Sequence, residues 1–151
     1  VTETGIRPAR AADLDAARRI VAAAYAPHAA RMGKRPGPMD DDYAARIAEG
    51  AVHVIEGDDG GVIGLVVLLP QDDAMLLDNV AVAPEAQGLG IGRRLVAFAE
   101  AEARRQGFGV LWLYTHESMV ENMAFYRSAG FAETHRVTER GFERVYFGKG
   151  L

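Results

Sequence analysis

The chain has 151 residues, 49% apolar and 25% charged, with a formal net charge of −4 at pH 7; that length suits one domain over residues 1–151 with a real core, and the acidic balance argues against nucleic acid as a partner. It contains no cysteine, which excludes disulfides, thiolate metal sites and a cysteine nucleophile. No apolar run reaches membrane-spanning length and no basic-then-apolar leader pattern opens the chain, so no membrane partner and a cytoplasmic setting are the expectations.

Ile6 to Ala9 reads as a first strand. Asp13 stands where an N-cap is wanted, ahead of Leu14, Ala17, Val21, Ala24 and Tyr25 at helical spacing. Pro27 is expected to end or kink that helix. Arg31 to Met39 breaks periodicity with two prolines and two glycines and reads as a basic loop. Asp40-Asp41-Asp42 then offers a cap and an acidic first turn to a short helix carrying Tyr43 and Ile47, closed by Gly50. Ala51–Glu56, Val62–Leu69 and Ala74–Val82 read as three strands joined by turns at 57–61 and 70–73, an antiparallel meander.

Directly after Val82 comes Ala83-Pro84-Glu85-Ala86-Gln87-Gly88-Leu89-Gly90-Ile91-Gly92-Arg93-Arg94-Leu95. A strand end, a glycine-rich turn and a helix beginning near Gly90 follow one another without a gap. The first N–H groups of a helix lack intrahelical acceptors and carry partial positive charge, so the arrangement suits a phosphate or pyrophosphate. Glycines let such a ligand approach the backbone. The spacing is G-x-G-x-G, which fails the G-x-G-x-x-G dinucleotide fingerprint, and no G-K-S or G-K-T is present.

The helix shows an apolar face of Ile91, Leu95, Phe98 and Ala99 and a closing Gly107. Val110 to Thr115 is a nearly continuous apolar run, as in a strand buried on both faces, with Trp112 expected in the core. Strand, helix and strand over this length imply parallel neighbours. Ser118-x-x-Glu121 reads as a capping box opening a helix through Ser128, ended by Gly130. Phe131–Thr138 and Phe142–Lys149 read as a final hairpin. The order β-α-α-β-β-β-α-β-α-β-β describes an α/β chain: a mixed, mostly antiparallel sheet of about seven strands flanked by about four helices. The four histidines show no metal-ligand spacing, so no metal is expected.

Two motifs carry a resemblance. Gln87, Gly90 and Gly92 fill Q-x-x-G-x-G, and Asn122, Ala124, Phe125-Tyr126 and Gly130-Phe131 form a second signature. With the element order along the whole chain, they make the sequence similar to the GNAT superfamily of N-acetyltransferases. The resemblance implies direct transfer of an acetyl group from acetyl-coenzyme A to a primary amine of a small molecule or peptide. A non-catalytic acyl-coenzyme A sensor built on the same fold is the alternative.

In such enzymes the turn holds the pyrophosphate, which here implies Gln87, Gly88, Leu89, Gly90, Ile91, Gly92 and Arg93. The strand Val80-Ala81-Val82 would pair with the pantetheine arm, its backbone N–H near Val80 polarising the thioester carbonyl. In the family this strand splays from its parallel neighbour to make room for the arm. The resemblance implies Asn122 as a further coenzyme A contact, although many members place that Asn seven residues before the tyrosine, where this sequence has Met119. Tyr126 matches the residue that protonates the leaving thiolate. An alkyl amine arrives protonated, and Asp78, His116 and Glu117 are the candidates to take its proton, with an ordered water as the other route. Strand alternation puts Asp78 on the face of Leu76, Val80 and Val82. Tyr25, Arg31, Lys34, Arg35, Met39 and Tyr43 come from the region that shapes the acceptor site in the family, a basic and aromatic set suited to a carboxylate beside the amine. Members are often dimers, so the resemblance leaves a homodimer open.

Overall fold

The structure, a computed structural model, describes residues 5–151. Strand β1 (Ile6–Pro8) leads into helix α1 (Leu14–Met32) and the short helix α2 (Tyr43–Ala48). The meander β2 (Val52–Glu56), β3 (Val62–Pro70) and β4 (Met75–Val82) follows, then α3 (Ile91–Arg105), β5 (Val110–His116), α4 (Val120–Ser128), β6 (Ala132–Glu139) and β7 (Phe142–Gly150). The strands form one sheet in the order β1-β2-β3-β4-β5-β7-β6, with every pair antiparallel except β4 and β5. This is the mixed seven-stranded architecture expected from the order of elements.

Apolar side chains fill both faces of the sheet. On one face α3 and α4 pack Leu95, Met123 and Tyr126 against Ile55, Val66, Leu113 and Phe147. On the other, α1 and α2 pack Val21, Tyr25 and Tyr43 against Val54, Leu65 and Ala81.

Helix α1 runs through Pro27 rather than ending there. An interior proline costs about 3 kcal/mol, which the buried row Ala17, Ile20, Val21 and Tyr25 outweighs. The helix stops at Gly33, in the left-handed conformation, whose N–H bonds the Ala29 carbonyl at 3.0 Å. Asp13 occupies the N-cap position, but its carboxylate turns back to the Arg10 N–H (2.7 Å) and the Arg7 guanidinium (2.8 and 3.1 Å). The bonds from Arg7 hold that carboxyl down at about 2. Arg7 also reaches Glu56 at 2.7 Å, tying β1 to both neighbours. Asp42 does cap α2, accepting from the Ala45 N–H.

Two expectations further along the chain are corrected. The 118–121 capping box does not form: α4 begins at Val120, Ser118 is engaged with His116, and Glu121 pairs with Arg31 at 2.8 Å. Strand β5 buries only one face, through Leu111, Leu113 and Thr115. Trp112 stands half-buried on the other face, its ring 5.9 Å from that of Tyr146, which His135 stacks at 4.3 Å. An apolar run of aromatic residues can shelter itself ring against ring.

Two irregularities in the sheet create the site. Val67 pairs with Asn79 and Leu68 with Leu77, so Asp78 is the extra residue of a β-bulge. The bulge flips the alternation. Met75 and Leu77 face α3 before it and Val80 faces α3 after it, while Asn79 and Ala81 turn towards α1. The side Asp78 would share with Leu76, Val80 and Val82 is therefore not a single face. Second, β4 and β5 pair only at Met75–Leu111 and Leu76–Trp112. Beyond that point β4 continues to Val82 and β5 to His116 without pairing, and the sheet opens into a slot.

Candidate active site

The glycine turn and the start of α3 form a cradle of about 290 Å³ lined by Val82, Gln87, Gly88, Gly90, Gly92 and Phe125, among others. Gly88 and Gly90 have φ of +81° and +79°, a conformation that side chains resist. The Gln87 amide donates to the Val82 carbonyl at 3.2 Å and fixes the turn to the end of β4. The first main-chain bond into α3 is from the Arg94 N–H to Gly90. The N–H groups of Ile91, Gly92 and Arg93 thus open the helix with no intrahelical acceptor. A Cβ on Gly92 would meet the Phe125 ring at 3.4 Å. Leu89 is 70% exposed at the tip, and Ile91 is buried under the turn. The Arg93 guanidinium bonds Ser128 Oγ at 2.9 Å and lies 5.9 Å from the centre of the Phe125 ring, so it adds positive charge on the α4 side of the cradle.

The slot between β4 and β5 holds a second cavity of about 340 Å³. Asp78, Asn79 and Leu77 line it from β4, Leu113 to His116 from β5, Asn122 and Tyr126 from α4, and Tyr25 from α1. Pro36, Gly37, Pro38, Asp40 and Asp41, with Phe142 and Arg144, cover it. The cover is fastened: the Lys34 ammonium bonds the Gly141 carbonyl and sits 4.5 Å from the centre of the Phe142 ring. Past Leu76 the β4 edge has no strand beside it on the slot side. Alternate N–H and C=O groups of Leu77 to Val82 therefore face the gap, the arrangement that accepts an added extended chain.

Among the described residues, no group bonds or pairs with the Asp78 carboxylate. Burial, and then the neighbouring Asp41, push its carboxyl above the usual carboxylate range, while Arg46 pulls it back. Next to it, Asn79 is 2% exposed and bonded through both its amide oxygen and its amide nitrogen. It accepts from the Tyr25 hydroxyl at 2.5 Å and donates to the Tyr43 hydroxyl at 2.9 Å, which in turn donates to the Pro38 carbonyl at 2.5 Å. This chain was not read from the sequence; an Asn one residue past an Asp in mid-strand was its only signal.

Tyr126 is 8% exposed, and burial alone pushes its phenol well above the usual range, so it stays protonated. No described residue bonds its hydroxyl, which is left to the cavity. His116 lines the cavity, but the Ser118 N–H donates to its Nδ1 at 3.0 Å and the Ser118 hydroxyl lies 2.8 Å away. The neutral ring therefore carries its proton on Nε2. Glu117 is exposed and stands outside the cavity. Asn122 lines it, its amide 3.6 Å from the Met119 sulfur. Val80 and Ala81 direct their side chains into the two cores and offer only backbone to the slot.

The basic loop differs from expectation. Arg31 is held by Glu121 and the Ser118 carbonyl, Lys34 by Gly141, and Arg35 by Asp40 at 2.8 Å. None of the three lines the cavity. The cations that line it are Arg46 and Arg144. Among the described residues no group of His, Asp or Glu side chains is placed to hold a metal ion, and no helix is long and apolar enough to cross a membrane.

Comparison with known proteins follows this geometry. Residues 16–131 match the Acetyltransferase (GNAT) family. The mycothiol acetyltransferase of Cellulomonas flavigena is 33% identical over 138 residues, covering 81% of this chain and 38% of that protein. The ribosomal protein bS18-alanine N-acetyltransferase of Escherichia coli is 38% identical over 61 residues, 40% of this chain and 41% of that one. The chain thus spans less than half the length of either relative in these alignments. Among solved structures, the PaiA N-acetyltransferase from Thermoplasma acidophilum, in complex with coenzyme A, superposes with a TM-score of 0.81 over 97% of this chain and 98% of its own at 18% identity, a likeness of fold.

Proposed function

This chain belongs to the GNAT acetyltransferase family, and we propose that it moves an acetyl group from acetyl-coenzyme A directly to the amine of a small acceptor. The observation that carries this reading is the slot: a glycine cradle at a helix start and an unpaired β4 edge lead into a cavity that holds an unpartnered carboxylate and an unpartnered phenol.

The residues present fit coenzyme A. The N–H groups of Ile91, Gly92 and Arg93, with the backbone of Gly88 to Gly90, would hold the pyrophosphate, and the β4 edge at Val80 to Val82 would pair with the pantetheine arm. Bound acetyl-coenzyme A supplies an activated thioester. A main-chain N–H near Val80 polarises its carbonyl. Asp78, ionised, takes the proton of the acceptor's ammonium. The amine nitrogen then attacks the acetyl carbon, the carbon–sulfur bond breaks, and Tyr126 donates its proton to the sulfur as negative charge builds there; the nitrogen's second proton leaves the new amide through solvent, which restores the phenol, and Asp78 releases its own proton to solvent. Asp78 is preferred to His116, whose basic nitrogen is occupied by Ser118, and to Glu117, which is outside the cavity.

The test is thiol release from acetyl-coenzyme A against a panel of amines, compared with Asp78→Asn and Tyr126→Phe. Turnover with at least one amine, reduced in both variants, supports the reading. Coenzyme A binding without turnover across the panel would replace it with an acyl-coenzyme A sensor.

A further inference from the structure

Of the acidic and basic side chains that line the cavity, most are already paired. Asp41 pairs with Arg46 at 3.3 Å, and Arg46 also reaches Glu49 at 3.4 Å. Asp40 pairs with Arg35 at 2.8 Å. Two lining groups remain available. One is Asp78, without a partner among the described residues. The other is Arg144 of β7, whose guanidinium reaches the Tyr146 side chain and, among the described residues, pairs with no carboxylate closer than Glu139, at 3.8 Å. That carboxylate already accepts from the Tyr146 hydroxyl.

Arg144 is aimed by its surroundings. It lies opposite His116 in the β5–β7 ladder. Its guanidinium sits 4.5 Å from the centre of the Tyr114 ring and 5.7 Å from that of Phe142. A guanidinium seated over aromatic rings is held in place without spending its N–H groups on them, and those groups can bond a carboxylate in a fork. Tyr114 is on β5, the strand between β4 with Asp78 and β7 with Arg144, and feels both: after the dominant effect of burial, Asp78 raises its phenol and Arg144 lowers it. The cavity is therefore bipolar, with a carboxylate at the β4 bulge and a guanidinium on the far wall.

We propose that Arg144 is a specificity residue and that the acceptor is a small amino acid, its amine at Asp78 and its carboxylate on the Arg144 guanidinium. The proposal rests on the acetyl transfer reading for the amine end. A polyamine would leave Arg144 facing a cation, and an amine without a carboxylate would leave it unused.

The test has a catalytic arm and a binding arm. In the first, α-, β- and γ-amino acids are compared as acceptors with the amines that lack only the carboxylate and with the corresponding amino acid amides. The wild-type protein prefers one of the amino acids. In Arg144→Gln its KM rises about tenfold to a hundredfold while kcat changes far less, so the preference over the matched amine collapses; Arg144→Lys recovers part of it. In the second arm no acetyl-coenzyme A is present. The same amino acids and amines are titrated while following Trp112, the single tryptophan, whose ring lies 6.3 Å from that of Tyr114. Amino acids alter its fluorescence at lower concentration than the matched amines, and Arg144→Gln removes the difference. Equal or better use and binding of simple amines or polyamines, or an unchanged KM in folded Arg144→Gln, overturns the assignment while leaving acetyl transfer intact. Failure of every amine to release thiol overturns acetyl transfer, and the fluorescence arm still decides whether the cavity reads a carboxylate.

Discussion

Tyr25 and Tyr126 stand on opposite faces of one sheet and line the same cavity. They meet because the sheet is open between β4 and β5. The Tyr126 phenol is close enough to Tyr25 to add to the effect of burial in raising that group. A closed sheet would have kept α1 and α4 apart, with no space for a reaction between them.

Tyr126→Phe separates chemistry from binding. Its hydroxyl bonds no described residue, so its loss leaves the fold and the affinity for coenzyme A nearly unchanged. The account predicts a fall in kcat of about a hundredfold. Steady-state rates beside a coenzyme A titration check this. An equal loss in affinity would move the tyrosine from a proton donor to a packing role.

Asp78→Asn has two opposed effects. Burial raises this carboxyl in the folded protein, so between the ordinary carboxylate range and the raised value the native state holds more protons than the unfolded one. Stability therefore falls as pH rises through that window and stays lowered at pH 7. The Asn variant should unfold at higher denaturant than the wild type at pH 7, and the difference should vanish in acid. Its kcat/KM should fall about a hundredfold or more, and the decline of activity on the acid side should disappear from its pH profile.

Asn79→Leu tests the support of the bulge. The change removes the acceptor of the buried Tyr25 hydroxyl and the donor to Tyr43. A loss of about 2–3 kcal/mol is expected from urea unfolding. Tyr43 also anchors the Pro38 carbonyl over the cavity, so acceptor KM should rise even where the protein remains folded.

Much of this site was legible before the fold. Turn and helix ends followed the glycines: Gly50, Gly107 and Gly130 all adopt positive φ where chain reversal was expected. The glycine turn at the start of α3 was legible because its shape depends on residues adjacent in sequence. What could not be read depends on partners distant in sequence. The bulge at Asp78 exists only in register with Val67 and Leu68, and counting alternate residues along one strand cannot reveal it. Ser118 and Glu121 have capping-box spacing, yet Glu121 is drawn to Arg31, ninety positions away. Arg31, Lys34 and Arg35 looked free to meet a substrate; each is spent on a partner, and Arg144, in a hairpin read only as structure, is the cation left facing the cavity.

The most direct test of the central claim is calorimetric titration of the protein with acetyl-coenzyme A, beside free coenzyme A and with Gly90→Trp as the blocked control. The account predicts one site of micromolar affinity, retained for free coenzyme A and lost in the variant. No heat of binding at millimolar ligand, or binding that survives Gly90→Trp, would contradict the cradle, and with it the acetyl transfer built on the slot it opens into.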